Sequence, residues 1–340
     1  MYNALLTLLF LLGTLNMSAQ GNFFTVHGTT NLPNGYAVGI VCHTDTSYSE
    51  EMANGYVKDG KFLLKGHIDH PQPGTLMTNN LELIEKNHWS EDSIRWTYTD
   101  IFLSNDEITV SPNLVVTGGE IQRDFNKLQM MGGENGDSTW QFIDTHPQSV
   151  ISAYLATNLL KRGYNLTAEQ VAHLEKTIKN IPDDPKRMNA FRQAITYAKK
   201  TIKGGELVDL ELMDVQGKIN HIKDIVPHGK YVLLDFWASW CGICLESMPE
   251  IRNIVEANKD KLTVIGISID TKEDAWRKAM TKFPEPWAQY VTTAQGYKDL
   301  FNKYQVGNGV PYYLILTPDG KVMSSPGRPD EIRQFIENIK

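Results

Sequence analysis

The clearest hydrophobic pattern in the chain is a strand followed at once by a helix. Residues 231–238 form a nearly continuous apolar run rich in Val, Leu and aromatic residues, which predicts a buried central strand. Residues 245–255 carry apolar positions at helical spacing and predict a helix. Cys241 and Cys244 lie at the turn between them, where free N–H groups and the helix dipole stabilise a thiolate at the first cysteine.

The region from residue 20 to residue 119 shows the pattern of short strands. Its apolar or alternating runs are separated by Gly, Asn and Pro clusters, which predicts a small β-sandwich or barrel. The predicted strands are 24–28, 36–42, 62–66, 99–103 and 107–110. Cys42 falls within one of them, so we expect a small buried side chain there in preference to a reactive thiol.

Two further regions complete the predicted organisation. Residues 120–203 carry apolar positions at helical spacing and predict a helical connector. Residues 204–340 alternate between strand and helix patterns, with a hairpin signal ahead of the cysteine strand and a second buried strand after its helix. The predicted fold class is therefore α/β, with a C-terminal mixed sheet that has helices on both faces.

The first nineteen residues predict a signal peptide. Their apolar stretch, 4–15, is too short to span a bilayer, and Ser18 and Ala19 supply small residues for cleavage before Gln20. The segment has no Lys or Arg, and a retained N-terminal anchor is the alternative. No other stretch approaches about 18 uninterrupted apolar residues, so we expect export and no membrane span in the mature chain.

Charge and cysteine content reduce the number of possible functions. The net charge of −7, from 33 basic and 40 acidic residues among 340, argues against nucleic acid as a partner. The chain has only three cysteines, and it has neither a second Cys-x-x-Cys pair nor a finger-like His pair, whereas structural zinc needs four ligands. A redox dithiol at Cys241 and Cys244 is favoured over a metal site or an inert disulfide, and we expect no metal and no cofactor.

The residues themselves suggest an order of attack. Cys241 is nearer the end of the strand, so we expect it to be the exposed attacking thiolate, with Cys244 resolving the mixed disulfide. Asp235 interrupts the apolar run, and burial of an unpartnered carboxyl group raises its pKa. The alternative for Asp235 is a surface position or a purely structural hydrogen bond.

Residues 235–244, Asp-Phe-Trp-Ala-Ser-Trp-Cys-Gly-Ile-Cys, closely resemble the active-site segment of thioredoxin-fold proteins, and Val310-Pro311 resembles their cis-proline. The extra strand and helix ahead of that segment, and the strand end at residues 269–271, resemble the TlpA/ResA branch of exported thiol–disulfide oxidoreductases within the redoxin group. The resemblance covers residues 205–340. The first 200 residues resemble, less distinctively, the β-rich N-terminal domain and helical connector of Bacteroidetes-type proteins.

The resemblance implies a periplasmic enzyme that exchanges disulfides with protein thiols through a redox-active Cys241–Cys244 pair, most simply as a reductase. It implies an upstream electron donor, for which a membrane-bound protein is one candidate. Asp235 would then relay the proton of Cys244. A cis bond at Pro311 would leave the backbone of Val310 free to pair with an extended substrate, and Trp240 would form a rim for it.

Two departures from the branch affect the acid–base chemistry. Leu245 stands at the position that is commonly basic, and Ser247 stands where an acid is expected. Glu246 is one position early, about 100° around the helix, and is either a solvated first-turn acid or a displaced proton donor. Asp235 takes the position of the buried acid of thioredoxin, which indicates more thioredoxin-like acid–base chemistry.

Two rival functions remain at this point. A thiol peroxidase of the redoxin group would carry its nucleophile in a Pro-x-x-x-Thr-x-x-Cys pattern, and residues 234–241 have neither that Pro nor that Thr. The other rival is an exported binding protein in which the β-rich domain holds a partner or a surface glycan and the redox site is accessory.

Overall fold

The computed structural model describes residues 23–43, 49–79, 97–181, 184–304 and 309–339. The chain divides into two compact units, Met1–Arg123 and Asp124–Lys340. The predicted signal peptide, 1–19, lies outside the described residues. Across the described ranges, no helix combines the length and apolar character needed to cross a membrane.

In its described residues, the first unit contains two four-stranded sheets. Its strands are β1 (Phe24–Thr29), β2 (Ala37–His43), β3 (Ser49–Tyr56), β4 (Lys61–Gly66), β5 (Gln72–Asn79), β6 (Thr97–Leu103), β7 (Glu107–Val110) and β8 (Val116–Gly118). The sheet orders are β4-β1-β7-β8 and β3-β2-β5-β6. Alternate side chains of both sheets, among them Phe24, Ile40 and Leu76, form one buried core that also contains Cys42. Cys42 is thus a small buried residue of this core.

Helices dominate the next stretch of the chain. They are α1 (Glu120–Met130), α2 (Gly136–Thr145), α3 (Val150–Leu160), α4 (Ala168–Thr177) and α5 (Pro185–Ala198). The Thr167 side chain accepts a hydrogen bond from the backbone N–H of Gln170, and the Gln170 side chain accepts one from the Thr167 N–H. This reciprocal capping box fixes the start of α4.

A seven-stranded mixed sheet forms the centre of the C-terminal part. Its strands are β9 (Glu211–Asp214), β10 (Ile219–His221), β11 (Tyr231–Trp237), β12 (Leu262–Ser268), β13 (Ala288–Thr292), β14 (Tyr312–Leu316) and β15 (Val322–Ser324). The order is β10-β9-β13-β12-β11-β14-β15. The helices are α6 (Ile222–Ile225), α7 (Gly242–Ala257), α8 (Glu273–Lys282), α9 (Ala294–Lys303) and α10 (Pro329–Asn338). The predicted α/β fold class is confirmed.

Strand β11 separates two hydrophobic cores because its side chains alternate between the sheet faces. Leu234 and Phe236 belong to the core that contains Trp276 of α8 and Leu300 of α9. Leu233 belongs to the opposite core, which contains buried isoleucines of α7 and α10. Asp235 has the parity of Leu233, so it lies on the face covered by the helix that follows the cysteines.

Candidate redox site

Cys241 and Cys244 form a disulfide at the N-terminus of α7, with an S–S distance of 2.07 Å. Cys241 is the N-cap residue of the helix, and its Sγ accepts a hydrogen bond of 3.2 Å from the backbone N–H of Cys244. Their side chains are 7% and 3% exposed, so exposure alone separates the two sulfurs little. The N–H contact and the helix dipole do separate them, because both stabilise negative charge on Cys241.

The loop before β14 closes over the disulfide. The Val310–Pro311 peptide bond is cis, and the Val310 carbonyl oxygen lies 3.6 Å from the Cys241 Sγ. Val310 and Pro311 are both half-buried. On the helix side, Trp240 is 65% exposed and Ile243 is also largely exposed. Large side chains beside a nearly buried disulfide give an apolar rim around a narrow opening.

Asp235 lies in the middle of β11 and is only 2% exposed. Its direct neighbours in the sheet are Gly266 on β12 and Tyr313 on β14. Burial raises its pKa from the usual value to about 7, and the negative charge of Glu285 adds to the rise. A carboxyl group that titrates near neutrality is suited to exchange protons with a thiol.

The surroundings of Asp235 contain an ion pair and an amide. Arg252 of α7 holds the buried Glu285 carboxylate with two hydrogen bonds, of 2.7 Å and 3.0 Å. Gln289 stands opposite Gly266 in the sheet, and its amide lies where a side chain at Gly266 would begin. Trp237 donates its indole N–H to the Gln289 Oε1 at 3.1 Å. Polar side chains, of which the Glu285 carboxylate is buried, therefore surround this part of the sheet.

A second buried aspartate, Asp270, fixes the loop that leads to the cysteines. Its carboxylate accepts hydrogen bonds from the Ser239 N–H (2.8 Å), the Ser239 hydroxyl (2.7 Å) and the Ser268 hydroxyl (2.7 Å). Asp270 is only 4% exposed. Since Ser239 precedes Cys241 by two residues, these bonds hold the backbone that positions the attacking sulfur.

The structure shows the contacts and exposure of the residues that depart from the branch pattern. The Ser247 hydroxyl donates to the Ile243 carbonyl one turn earlier in α7. Glu246 is exposed and Leu245 is half-buried. Trp237, which could belong to either the core or the site, is buried in the core. Among the described residues, no group of three or more His, Cys, Asp or Glu side chains is arranged to hold a metal.

Sequence reasoning missed three residues that shape this site: Asp270, Glu285 and Gln289. Asp270 had a local signal, because an acid directly after a buried strand resembles a buried cap. Glu285 and Gln289 had none, because Glu285 acts on Asp235 across a separation of fifty residues and Gln289 lies opposite Gly266 only through the pairing of β12 with β13.

A family model described as thioredoxin-like matches residues 229–322. The thioredoxin-like protein YneN of Bacillus subtilis is 33% identical over 81 residues, which are 23% of this chain and 46% of that protein. The thiol-disulfide oxidoreductase ResA of Bacillus anthracis is 30% identical over 125 residues, 35% of this chain and 66% of that protein. The chain thus spans about half to two thirds of the length of these curated relatives.

Among solved structures, the thioredoxin domain of a thiol-disulfide oxidoreductase from Bacteroides vulgatus is 29% identical, with a TM-score of 0.37. The match covers 40% of this chain and 95% of that one. The thioredoxin-like match over residues 229–322 confirms the family resemblance that the motif predicted. The relatives also support thiol–disulfide exchange as the class of activity.

Proposed function

We propose that the chain is an exported thiol–disulfide oxidoreductase that acts on protein disulfides in the reducing direction. The observation that carries the proposal is the Cys241–Cys244 disulfide at a helix N-terminus, under the Val310–Pro311 loop and on the same unit as a buried acid, Asp235. Relatives named as thiol-disulfide oxidoreductases support the same chemistry.

The proposed reaction starts from the dithiol. The Cys241 thiolate attacks one sulfur of a substrate disulfide, a mixed disulfide forms, and the first substrate thiolate leaves. Cys244 then loses its proton to Asp235 and attacks the Cys241 sulfur. This step forms the Cys241–Cys244 disulfide and releases the second substrate thiolate, so the substrate gains two electrons and the enzyme loses two. An upstream donor of electrons returns the enzyme to the dithiol.

The substrate is proposed to bind beside the disulfide as an extended segment. The backbone of Val310 pairs with it, Pro311 shapes the loop, and the exposed Trp240 forms the rim. The apolar character of Trp240 and Ile243 favours a protein segment with apolar side chains near its cysteine.

The reducing direction is supported by the limited stabilisation of the Cys241 thiolate. The two residues between the cysteines, Gly242 and Ile243, carry no cationic or imidazole group, so the helix terminus is the main stabilising element. Strongly oxidising dithiols depend on much greater stabilisation of that thiolate. Ionisation of Asp235 on the same unit would oppose it further.

Equilibration of the Cys241–Cys244 couple with dithiothreitol tests the direction. We expect a reduction potential near about −270 mV, the thioredoxin value, whereas about −120 mV would make the protein an oxidant. Peroxide turnover faster than protein disulfide reduction would instead favour the peroxidase. Retention of the biological role in a Cys241→Ser, Cys244→Ser variant would favour the binding protein.

Export and a periplasmic location belong to the same proposal. They rest on the apolar stretch 4–15 and the small residues before Gln20. Cell fractionation followed by mass spectrometry of the mature chain tests them, with the expected N-terminus at Gln20. A full-length chain in the cytoplasmic fraction would contradict the proposal.

A further inference from the structure

A turn between two helices of the stretch α1–α5 packs into the thioredoxin-like part of the same unit. It consists of residues 161–166, between α3 and α4, and we call it the brace turn. Gly163 and Tyr164 at its centre are buried, Tyr164 completely. Tyr164 has a φ of +60°, a left-handed conformation that is unusual for a residue with a Cβ. The surroundings therefore determine its conformation, because the isolated chain would avoid it.

Hydrogen bonds join the brace turn to Tyr304 directly after α9, to Tyr312 at the start of β14, and to the segment ahead of β9. The Tyr312 hydroxyl donates to the Gly163 carbonyl at 2.6 Å, and the Gly163 N–H donates to the Tyr304 carbonyl at 3.0 Å. The Tyr164 hydroxyl donates to the Glu206 carbonyl at 3.1 Å and accepts from the Val208 N–H at 2.7 Å. Buried bonds of this kind fix geometry because any break leaves a polar group without a partner.

Close packing restricts the brace turn to glycine at one position. A Cβ at Gly163 would lie 2.0 Å from the Tyr304 carbonyl oxygen, which is backbone and cannot move aside as a side chain would. Beside it, the Arg162 guanidinium lies 5.8 Å from the centre of the Tyr312 ring, and its Nη2 donates to the Pro326 carbonyl at 3.2 Å. Tyr312 is thus held at its hydroxyl and on its ring.

Tyr312 connects this contact to the redox site. It directly follows Pro311, and the carbonyl of Val310 is the group that lies 3.6 Å from the Cys241 Sγ. The Tyr312 ring also packs on Phe236 of β11, with 5.6 Å between ring centres. Tyr312, the residue that follows the Val310–Pro311 peptide beside the disulfide, is therefore anchored by the brace turn.

We propose that the brace turn is a positioning element of the redox site, which holds Tyr312 so that Val310 is aligned to pair with a protein substrate. This inference rests on the proposed function. It makes the helical segment a working part of the enzyme. It also predicts selectivity, because a small disulfide needs access to the Cys241 sulfur and no pairing with Val310.

The test compares Tyr312→Phe with Tyr154→Phe in the full chain. Tyr154 is the matched control, since it is a tyrosine of α3 with an arginine, Arg187, 5.4 Å over its ring. Reduction of insulin and of hydroxyethyl disulfide is measured for each protein, with thermal unfolding alongside. We expect Tyr312→Phe to raise KM for insulin about tenfold, because the backbone after Pro311 loses its anchor and Val310 is no longer aligned with the substrate. Turnover of hydroxyethyl disulfide, and the equilibrium constant of the Cys241–Cys244 couple with dithiothreitol, should stay within about twofold of wild type.

Arg162→Met keeps the proposal testable if Tyr312→Phe does not fold, because Arg162 is half-buried and its loss leaves the core intact. We expect a smaller rise of KM for insulin, again without change for hydroxyethyl disulfide. Equal losses on both substrates, no loss on either, or the same loss in Tyr154→Phe would overturn the proposal. Failure of the wild type to reduce either substrate would instead refute the proposed function.

Discussion

Asp235 and Asp270 are two buried aspartates at β11 and at the end of β12, and they have opposite surroundings. Both are almost fully buried, at 2% and 4% exposure. Asp270 accepts three hydrogen bonds from Ser239 and Ser268. Asp235 lies beside Gly266 and Tyr313, and burial together with the charge of Glu285 raises its pKa to about 7.

The difference shows that, at similar burial, the hydrogen-bond donors around a carboxyl group decide its role. A carboxylate supplied with N–H and O–H donors is a structural anchor, and Asp270 anchors the loop before Cys241. When burial raises the pKa of a carboxyl group to near neutrality, the group can gain and lose a proton at that pH. Asp235 is therefore the acid–base candidate. The comparison can be tested by replacing each aspartate with its amide.

The largest expected effect is on the pH dependence of stability in Asp235→Asn. The folded pKa of Asp235, about 7, is above its unfolded value, so the folded state binds the proton more tightly. Stability is therefore lost as the pH rises from about 4 through 7, by about 4 kcal/mol in total. We expect urea unfolding at pH 4 and pH 8 to show this loss in the wild type and not in the variant. Parallel curves for the two proteins would contradict the comparison.

A smaller effect on stability is expected for Asp270→Asn. The amide keeps one acceptor oxygen but places an NH2 group against donors from Ser239 and Ser268. We expect a loss of about 2 kcal/mol at both pH 5 and pH 8, together with slower disulfide exchange. Urea unfolding and insulin reduction measure the two effects. Ser268→Ala removes a single donor and should lose less; an unchanged Asp270→Asn protein would show that the anchor is dispensable.

The smallest expected effect is on the pKa of Asp235 in Glu285→Gln. Removal of the Glu285 charge should lower that pKa, by less than about one unit, because burial is the larger cause. Glu250→Gln is the matched control, since Glu250 also pairs with an arginine, Arg333, at the surface. Carboxyl carbon NMR titration measures both. Equal shifts of the Asp235 pKa in the two variants would show that Glu285 has no specific effect on it.

Local patterns in the sequence predicted much of the fold. The apolar run of β11, the helix α7 and all five strands proposed for the β-rich region are present. Strands β3, β5, β8 and β13 were missed. Strand β3 is polar and β5 contains Pro73 and Gly74, which normally interrupt strands, so their pairing with β2 determines them. The division into domains at residues 119 and 203 stays a prediction.

Some residues of the candidate site were predicted from the sequence, and others were found only in the structure. Cys241, Cys244 and Asp235 stand within ten residues of one another, so motif and apolar pattern were enough to find them. The effect of the Glu285 charge on Asp235, and the contact between Tyr312 and Gly163, join residues that are far apart in sequence. No local pattern encodes such contacts, because they arise only when the sheet and the brace turn pack together.

The order of attack by the two cysteines is the central claim, and trapping of a mixed disulfide tests it most directly. The full chain is prepared as Cys244→Ser and as Cys241→Ser, and each is incubated with a disulfide-bonded protein substrate. Mass spectrometry then measures the covalent complex. We expect Cys244→Ser to accumulate a mixed disulfide through Cys241, because the resolving thiol is missing, and Cys241→Ser to form none. Accumulation on Cys244 in the Cys241→Ser protein, or no complex with either variant, would contradict the account.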